Sequence, residues 1–385
     1  MYLNQEVPER KSMKVCCITL TETPNYGAVL QAYALKEYVS SLGHEYTLLN
    51  YENEAQRLKF SFWSKTEFMD WKYCLYKKIQ YPINIHRIKK IVSFQHEHGN
   101  LSGLVKREDL PHVKQEYDAF ICGSDQVWNN PEVNHYDDTF FLRFAEGKNT
   151  IAYAASFGKT EDMLTERDRK LYQDNIRRIR HVSVRENSGV GLVKTYGQKD
   201  ATWVCDPVFL LNKAEWNKVA VAPKKKSYIL VYLIGNAVNQ ECNRKIMKEA
   251  RALGKKMNLP LVKISRGLSS MLSEGSFAFP TTPEWLGLIA NAELFLTNSF
   301  HGVSFAAIYN KNFFCFVDGA ENNKMNTRIY SILKKLALED RLISVQNPGN
   351  YYEKGNIDFT KTNELMAAFI EESKTFIKES LADKN

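Results

Sequence analysis

The 385-residue chain is longer than a single hydrophobic core normally grows, so its length points to two domains. Aromatic and apolar fractions of 12% and 44% are those of a packed globular enzyme and exclude a disordered tail protein. The net charge of +8 favours an anionic small molecule, an anionic membrane surface or nucleic acid without choosing among them.

The seven cysteines form no C-x-x-C pair and lie mostly within apolar runs such as VCCITL and WVCDP. They read as reduced, buried small hydrophobes, with neither a disulfide framework nor a zinc site expected. Residues 1–12 are polar, with no signal-peptide core, and no run reaches transmembrane length. The expected location is cytoplasmic, either free or peripheral at the inner face of the cytoplasmic membrane.

In chain order, MKVCCITL (13–20) is a continuous apolar run of buried-strand length. It leads through TETPNYGA into a helical pattern closed by Gly43, and residues 44–51 read as the next strand. This strand-loop-helix-strand opening predicts a doubly wound sheet with its functional loop at residues 21–27, so Asn25 and Tyr26 are candidate ligand contacts. No G-x-G-x-x-G is present, which argues against a dinucleotide site.

Residues 54–115 break the alternation and form an expected helical insertion. Between Arg57 and Lys90, nine Lys or Arg face two acids, interleaved with aromatics. Phe68, Trp71, Leu75 and Ile79 fall on one helical face, with Lys65 and Lys72 elsewhere. Two readings stay open: a basic amphipathic helix whose Trp63, Phe68, Trp71 and Lys72 face an anionic membrane, or a stripe packed on its own domain. Nucleic acid is the weaker option and is not adopted.

YDAFICG (117–123) is a buried strand running into Ser124, Asp125, Gln126, Val127, Trp128 and Asn129. Carboxylate and amides at a strand end can hold sugar hydroxyls while an aromatic face covers the ring. Equally, Asp125 can cap the next helix and Trp128 can fill a core. TFFLRF and TIAYAASFG read as two further strands. HVSV (181–184) is a short strand ending at Arg185, placed to clamp a carboxylate or phosphate, or to pair with Glu186 or another acid.

The first domain is thus expected over residues 13–211 and a linker over 212–227. A second alternating domain follows over 228–350, and a C-terminal helix within 351–385 packs back on the first. The expected fold class is α/β: two doubly wound Rossmann-like domains facing a cleft. In the second domain, LFLT is followed by Asn298, Ser299, Phe300, His301 and Gly302 at a strand-to-helix turn. A helix N-terminus there offers unpaired N–H groups to an anion, which makes Ser299 and His301 donor-site candidates. The plain structural alternative is an N-capping Ser299 and a hydrogen-bonded core histidine.

Taken in order and spacing, NYGAVLQAYAL, FICGSDQVWN, IAYAASFG, SVRENSG, CDPVFLL and TNSFHGVSFAAIYNKNF resemble the polysaccharide pyruvyl transferase family, over about residues 13–343. The resemblance implies a GT-B-like architecture. It also implies transfer of the carboxyethylidene group of phosphoenolpyruvate to a sugar of a cell-surface or capsular glycan precursor, often lipid-linked, as a cyclic ketal such as a 4,6-ketal on galactose. Phosphoenolpyruvate is then a co-substrate, and no cofactor or metal is expected. By the same resemblance His301 is the motif histidine and candidate acid and Arg185 binds the donor anion; the chemistry also asks for a base or hydrogen-bond acceptor at the attacking hydroxyl, for which Asp125 at its strand end is the candidate. Several members carry Arg-Leu-His where this chain has Ser299, Phe300 and His301. Lys324 and Arg328 are the available cations that could replace the missing arginine, or they only cap and solvate a helix. The competing functions are a GT-B glycosyltransferase using a nucleotide sugar and an inactive glycan- or membrane-surface-binding protein.

Overall fold

The structure is a computed structural model that describes residues 12–52, 71–129, 136–235, 240–264, 276–277, 279–318 and 326–383, with backbone alone at 71–84, 162, 240 and 276–277. Lys324, Trp63 and Phe68 lie outside the described residues, and so do the side chains of Trp71 and Lys72.

The first half opens with β1 (Lys14–Ile18), α1 (Tyr26–Ser41) and β2 (Glu45–Tyr51). It continues through α2 (Trp71–His98), β3 (Leu101–Val105), α3 (Leu110–Glu116) and β4 (Ala119–Cys122). Then come β5 (Asn149–Ala155), α4 (Glu166–Asn175), β6 (His181–Val184), α5 (Asn187–Leu192) and β7 (Thr202–Trp203). These strands form a seven-stranded sheet in the order β3-β2-β1-β4-β5-β6-β7, and every pairing is parallel. β1, β4 and β5 are almost wholly buried, which explains why they read as unbroken apolar runs.

After α6 (Lys213–Val219), the second half begins with β8 (Ile229–Tyr232), α7 (Gln240–Met257), β9 (Leu261–Ile264), β10 (Ser276–Phe277) and α8 (Thr282–Ala290). It continues with β11 (Leu294–Thr297), α9 (Phe300–Ile308), β12 (Phe313–Val317), α10 (Thr327–Lys335) and β13 (Leu342–Ser344). The second sheet is six-stranded, order β10-β9-β8-β11-β12-β13, again all parallel. The chain is therefore α/β with two Rossmann-like sheets. The final helix, α11 (Thr360–Ala382), returns to the first sheet: Ser373 Oγ accepts from Cys205 N at 2.8 Å and Asn149 Nδ2 donates to Ser380 O at 2.8 Å.

Three segments differ from expectation. The insertion is helical over α2, but it also supplies β3, so α2 is the crossover of a β-α-β unit. The C-terminal part of α2 is packed: Ile91, Val92 and Phe94 are buried, and Ile91 O accepts from Thr282 Oγ1 of α8 at 2.9 Å. TFFLRF is not a strand. It forms two 3-10 turns, Asp138–Phe141 and Arg143–Ala145, hinged at Leu142 with φ +57°, and Phe140 and Phe141 face the core from them. The expected linker is also packed, because α6 is capped by Asn212 and buries Trp216, whose indole donates to Val208 O at 3.0 Å.

The halves share a core. Tyr26 of α1 stacks on Trp285 of α8, with ring centroids 5.3 Å apart and planes 11° apart, and its hydroxyl donates to Pro280 O at 2.7 Å. Tyr33 and Trp216, and then Trp216 and Phe305, continue this aromatic contact into α9.

Candidate active site

In a doubly wound sheet, ligands sit beyond the carboxyl ends of the strands where the strand order reverses. The first sheet reverses between β1 and β4, and the second between β8 and β11. The loops leaving these four strands carry the N-terminus of α1, Ser124 and Asp125, residues 233–235, and Asn298 to His301. Asn298 ties the two loops of the second sheet together, accepting from Ile234 N at 2.6 Å and donating to Ile234 O at 2.8 Å.

Asp206 lies at the centre. It follows β7, where Val204 N bonds Val184 O, and it caps the 3-10 turn Pro207–Leu210 with Oδ1 on Val208 N at 3.1 Å. Its other oxygen, Oδ2, accepts from Ser124 Oγ at 2.9 Å and Arg185 Nη1 at 2.8 Å, and lies 3.4 Å from His301 Nε2. Burial pushes the Asp206 carboxyl up, but His301 and Arg185 outweigh it and hold the group well below the usual carboxylate range.

Arg185 continues β6, with its N–H on Ala155 O at 3.3 Å and its carbonyl accepting from the Trp203 indole at 3.0 Å. Its side chain has no accessible surface. Besides Asp206 it reaches Asp125 Oδ1 at 3.4 Å, and its guanidinium lies 4.5 Å from the centre of the Phe300 ring, a cation–π contact between the halves. Burial alone would lower its proton affinity, yet Asp206, Asp125 and Glu186 raise it above the ordinary value. The two-point clamp expected of Arg185 is thus spent on the protein's own acids, and Glu186 is not its hydrogen-bonded partner. Glu186 Oε1 instead anchors the next loop, accepting from Ser156 Oγ at 3.0 Å and Phe157 N at 2.9 Å.

Asp125 has φ +76°, a left-handed conformation that Asp tolerates better than most residues. The turn is held by Ser156 N on Asp125 O at 3.0 Å, and Oδ1 accepts from Gln126 N at 2.9 Å. Asp125 Oδ2 is buried without a hydrogen-bond partner. Gln126 is half-buried and accepts from Asn129 Nδ2 at 2.7 Å.

Ser299 caps α9, its hydroxyl accepting from Gly302 N at 3.3 Å, so the capping alternative describes it. His301 follows in the first turn. Its Nε2 is sealed from solvent and makes no aligned hydrogen bond, and Asp206 is its ion-pair neighbour. Its Nδ1 faces Gly27 of α1 so closely that a Cβ built on Gly27 would stand 2.0 Å from it. Arg328, in α10, is half-buried. Its Nε is buried without a partner, and no described residue gives its guanidinium a hydrogen bond or ion pair. Burial and the charge of Arg185 lower its pKa to about 10, so it stays cationic at neutral pH.

Two expected acceptor contacts need correction. Trp128 is inaccessible, stacked on Phe141 at 5.3 Å with its indole donating to Phe140 O at 3.0 Å, so its ring covers no sugar. Tyr26 is spent on the contact with α8 described above. Asn25 is exposed and caps α1 through Gly27 N at 3.0 Å. Sequence reasoning missed Asp206 as a site residue, and it named Gly27, Ser124 and Phe300 only as members of the stretches 21–27, 124–129 and 298–302. Asp206 followed by Pro207 just beyond a short strand was the available signal. Among the described residues, no group of three or more His, Cys, Asp or Glu is placed to hold a metal ion, and no helix is long and apolar enough to cross a membrane.

A family model described as polysaccharide pyruvyl transferase matches residues 25–318, a span that contains Gly27, Asp125, Arg185, Asp206 and His301. The chain belongs to that family. No curated protein matches it. Among solved structures, a putative UDP-N-acetylglucosamine 2-epimerase from Listeria monocytogenes is similar at 12% identity and TM-score 0.52, covering 97% of this chain and 98% of that one. The UDP-GlcNAc 2-epimerase of Methanocaldococcus jannaschii follows at 12% identity and TM-score 0.48, over 93% and 92% of the chains. SsfS6, a Streptomyces sp. SF2575 glycosyltransferase, has 12% identity and TM-score 0.43, over 95% and 99%. The first of these supports a GT-B-like arrangement of two Rossmann-like domains and nothing about substrate.

Proposed function

We propose that this member of the pyruvyl transferase family moves the carboxyethylidene group of phosphoenolpyruvate onto two hydroxyls of a sugar in a cell-surface or capsular polysaccharide precursor. The acceptor is lipid-linked and presented at the membrane's inner face, with the 4- and 6-hydroxyls of a terminal galactose as the expected pair. The observation that carries the reading is Arg328, a half-buried cation that makes no hydrogen bond or ion pair with a described residue, beside a cluster that includes Arg185 and Asp206. An unpaired cation in such a place is costly unless an anion arrives to pair with it. A donor bearing both a phosphate and a carboxylate answers that need. Arg328 then takes over the anion contact that Ser299 cannot make, and Lys324 is proposed to share that task.

In the proposed reaction His301 protonates C3 of the enol, and the C2=C3 pair forms the new C–H bond. C2 becomes an oxocarbenium centre that the anionic pocket occupants stabilise. The first sugar hydroxyl bonds to C2 and gives its proton to the free oxygen of Asp125, with Gln126 and Asn25 at the acceptor side. The C2–O bond to phosphate breaks, and phosphate leaves with the electron pair and the proton held by Asp125. The second hydroxyl closes the ketal and its proton returns to His301, so one hydroxyl proton ends in the methyl group and one with phosphate.

Ligand-dependent melting tests the donor. Phosphoenolpyruvate at a hundred times its Kd adds roughly 2.7 kcal/mol of stability. Arg328→Ala should lose most of that gain while uridine diphosphate gives none to either protein. A shift with uridine diphosphate and none with phosphoenolpyruvate would overturn the reading in favour of a nucleotide-sugar enzyme.

A further inference from the structure

We propose that Asp206 is the positioning residue for His301, holding Nε2 so that Nδ1 is the atom that delivers the proton; the catalytic part rests on the pyruvyl-transfer reading above. His301 enters from the second sheet, whereas Asp206, Arg185 and Ser124 belong to the first. The imidazole is therefore placed by the half of the molecule it does not belong to. Nε2 lies 3.4 Å from Asp206 Oδ2 and has no access to solvent, so that side of the ring is occupied by the carboxylate. The side chain keeps 8% of its surface exposed, and Nδ1, which stands beside the N-terminus of α1, is not among its sealed atoms.

The groups that share this oxygen fix its position. Ser124 Oγ and Arg185 Nη1 hold Oδ2, while Val208 N holds Oδ1, so the carboxylate cannot turn away from the ring without breaking three hydrogen bonds. The charged neighbours packed around the pair are Arg185 and Asp125 from the first sheet and Arg328 from α10. In the protonation step the Nδ1–H bond breaks, the C2=C3 pair of the enol forms C3–H, and C2 carries the positive charge. The imidazole is left neutral with its remaining N–H on Nε2, facing Asp206.

Two measurements decide this. In wild-type protein labelled with 15N-histidine, with the His301 signal assigned by its loss in His301→Gln, the neutral ring should carry its proton on Nε2. A proton on Nδ1 overturns the assignment, whatever the reaction proves to be. For turnover, Asp206→Asn should lower kcat roughly 100-fold, the scale of a general-acid contribution. It should leave KM for phosphoenolpyruvate near the wild-type value and enlarge the solvent deuterium isotope effect on kcat, because proton transfer becomes slower. A purely structural role would reduce the active fraction and leave the isotope effect unchanged, which also overturns the proposal. If the wild-type protein releases no phosphate from phosphoenolpyruvate, the pyruvyl-transfer reading falls, while the 15N result still tests the hold of Asp206 on the ring.

Discussion

Gly27 shows how much one missing side chain decides. A Cβ there would overlap the His301 ring, so the first turn of α1 can come against α9 only with glycine at this position. Gly27→Ala should push the ring off Asp206. A misplacement of about 1 Å costs on the order of 100-fold in rate, whereas overpacking costs roughly 1–3 kcal/mol. We expect kcat to fall by that order with a folded protein and a modestly lower melting temperature; wild-type kcat in Gly27→Ala would contradict the contact's importance. At this scale the sequence was partly legible. His301, Asp125 and Arg185 are polar residues at the ends of apolar runs, and all three come together. Asp206 was hidden because Asp-Pro after a strand reads as a cap, which it also is. Its second role appears only when β7 pairs with β6 and brings it to Arg185. Trp128 takes the core alternative, which spacing could not choose: sequence places an aromatic at a strand end but does not say that its ring turns inward onto Phe141.

At the scale of elements, continuous buried runs marked the central strands of both sheets, whose two covered faces leave little room for polar residues. The edge strand β3 escaped, since LSGLV is half-exposed and polar enough to look like loop. TFFLRF failed in the opposite direction, because apolar residues buried from 3-10 turns imitate a strand. The segment after the first sheet reads as a linker from its AVAPKKKS composition, but its packing is specific. Val221 N bonds Pro283 O at 2.9 Å, and a Cβ on Gly287 of α8 would lie 1.8 Å from Val221 O. Gly287→Ala should therefore pry this segment from α8 and cost about 1–3 kcal/mol, read as a lower denaturant midpoint. An unchanged midpoint would show that the segment has no fixed seat. As for the basic aromatic insertion, its packed end at Ile91–Phe94 is not available to a membrane, and the proposed membrane-facing positions lie nearer its beginning.

For the whole molecule, length and alternation announce two doubly wound halves, and the structure has two parallel sheets in that order along the chain. What they do not announce is how the halves meet. Stacked Tyr26 and Trp285, the bond from Thr282 to Ile91, and Phe300 over Arg185 join the sheets through packed side chains. The site is assembled across that contact, with the proposed acid from one half and its carboxylate from the other. A contact largely of apolar and aromatic groups favours a fixed relation between domains. The most direct test of this account is the reaction itself run in deuterium oxide with phosphoenolpyruvate and a galactose-terminated lipid-linked glycan. The account predicts phosphate release matched by a pyruvate ketal whose methyl group carries one deuterium, and loss of both in a folded His301→Ala. Phosphate release or ketal formation that persists undiminished in His301→Ala, or a wild-type product with no deuterium in the methyl group, would contradict it.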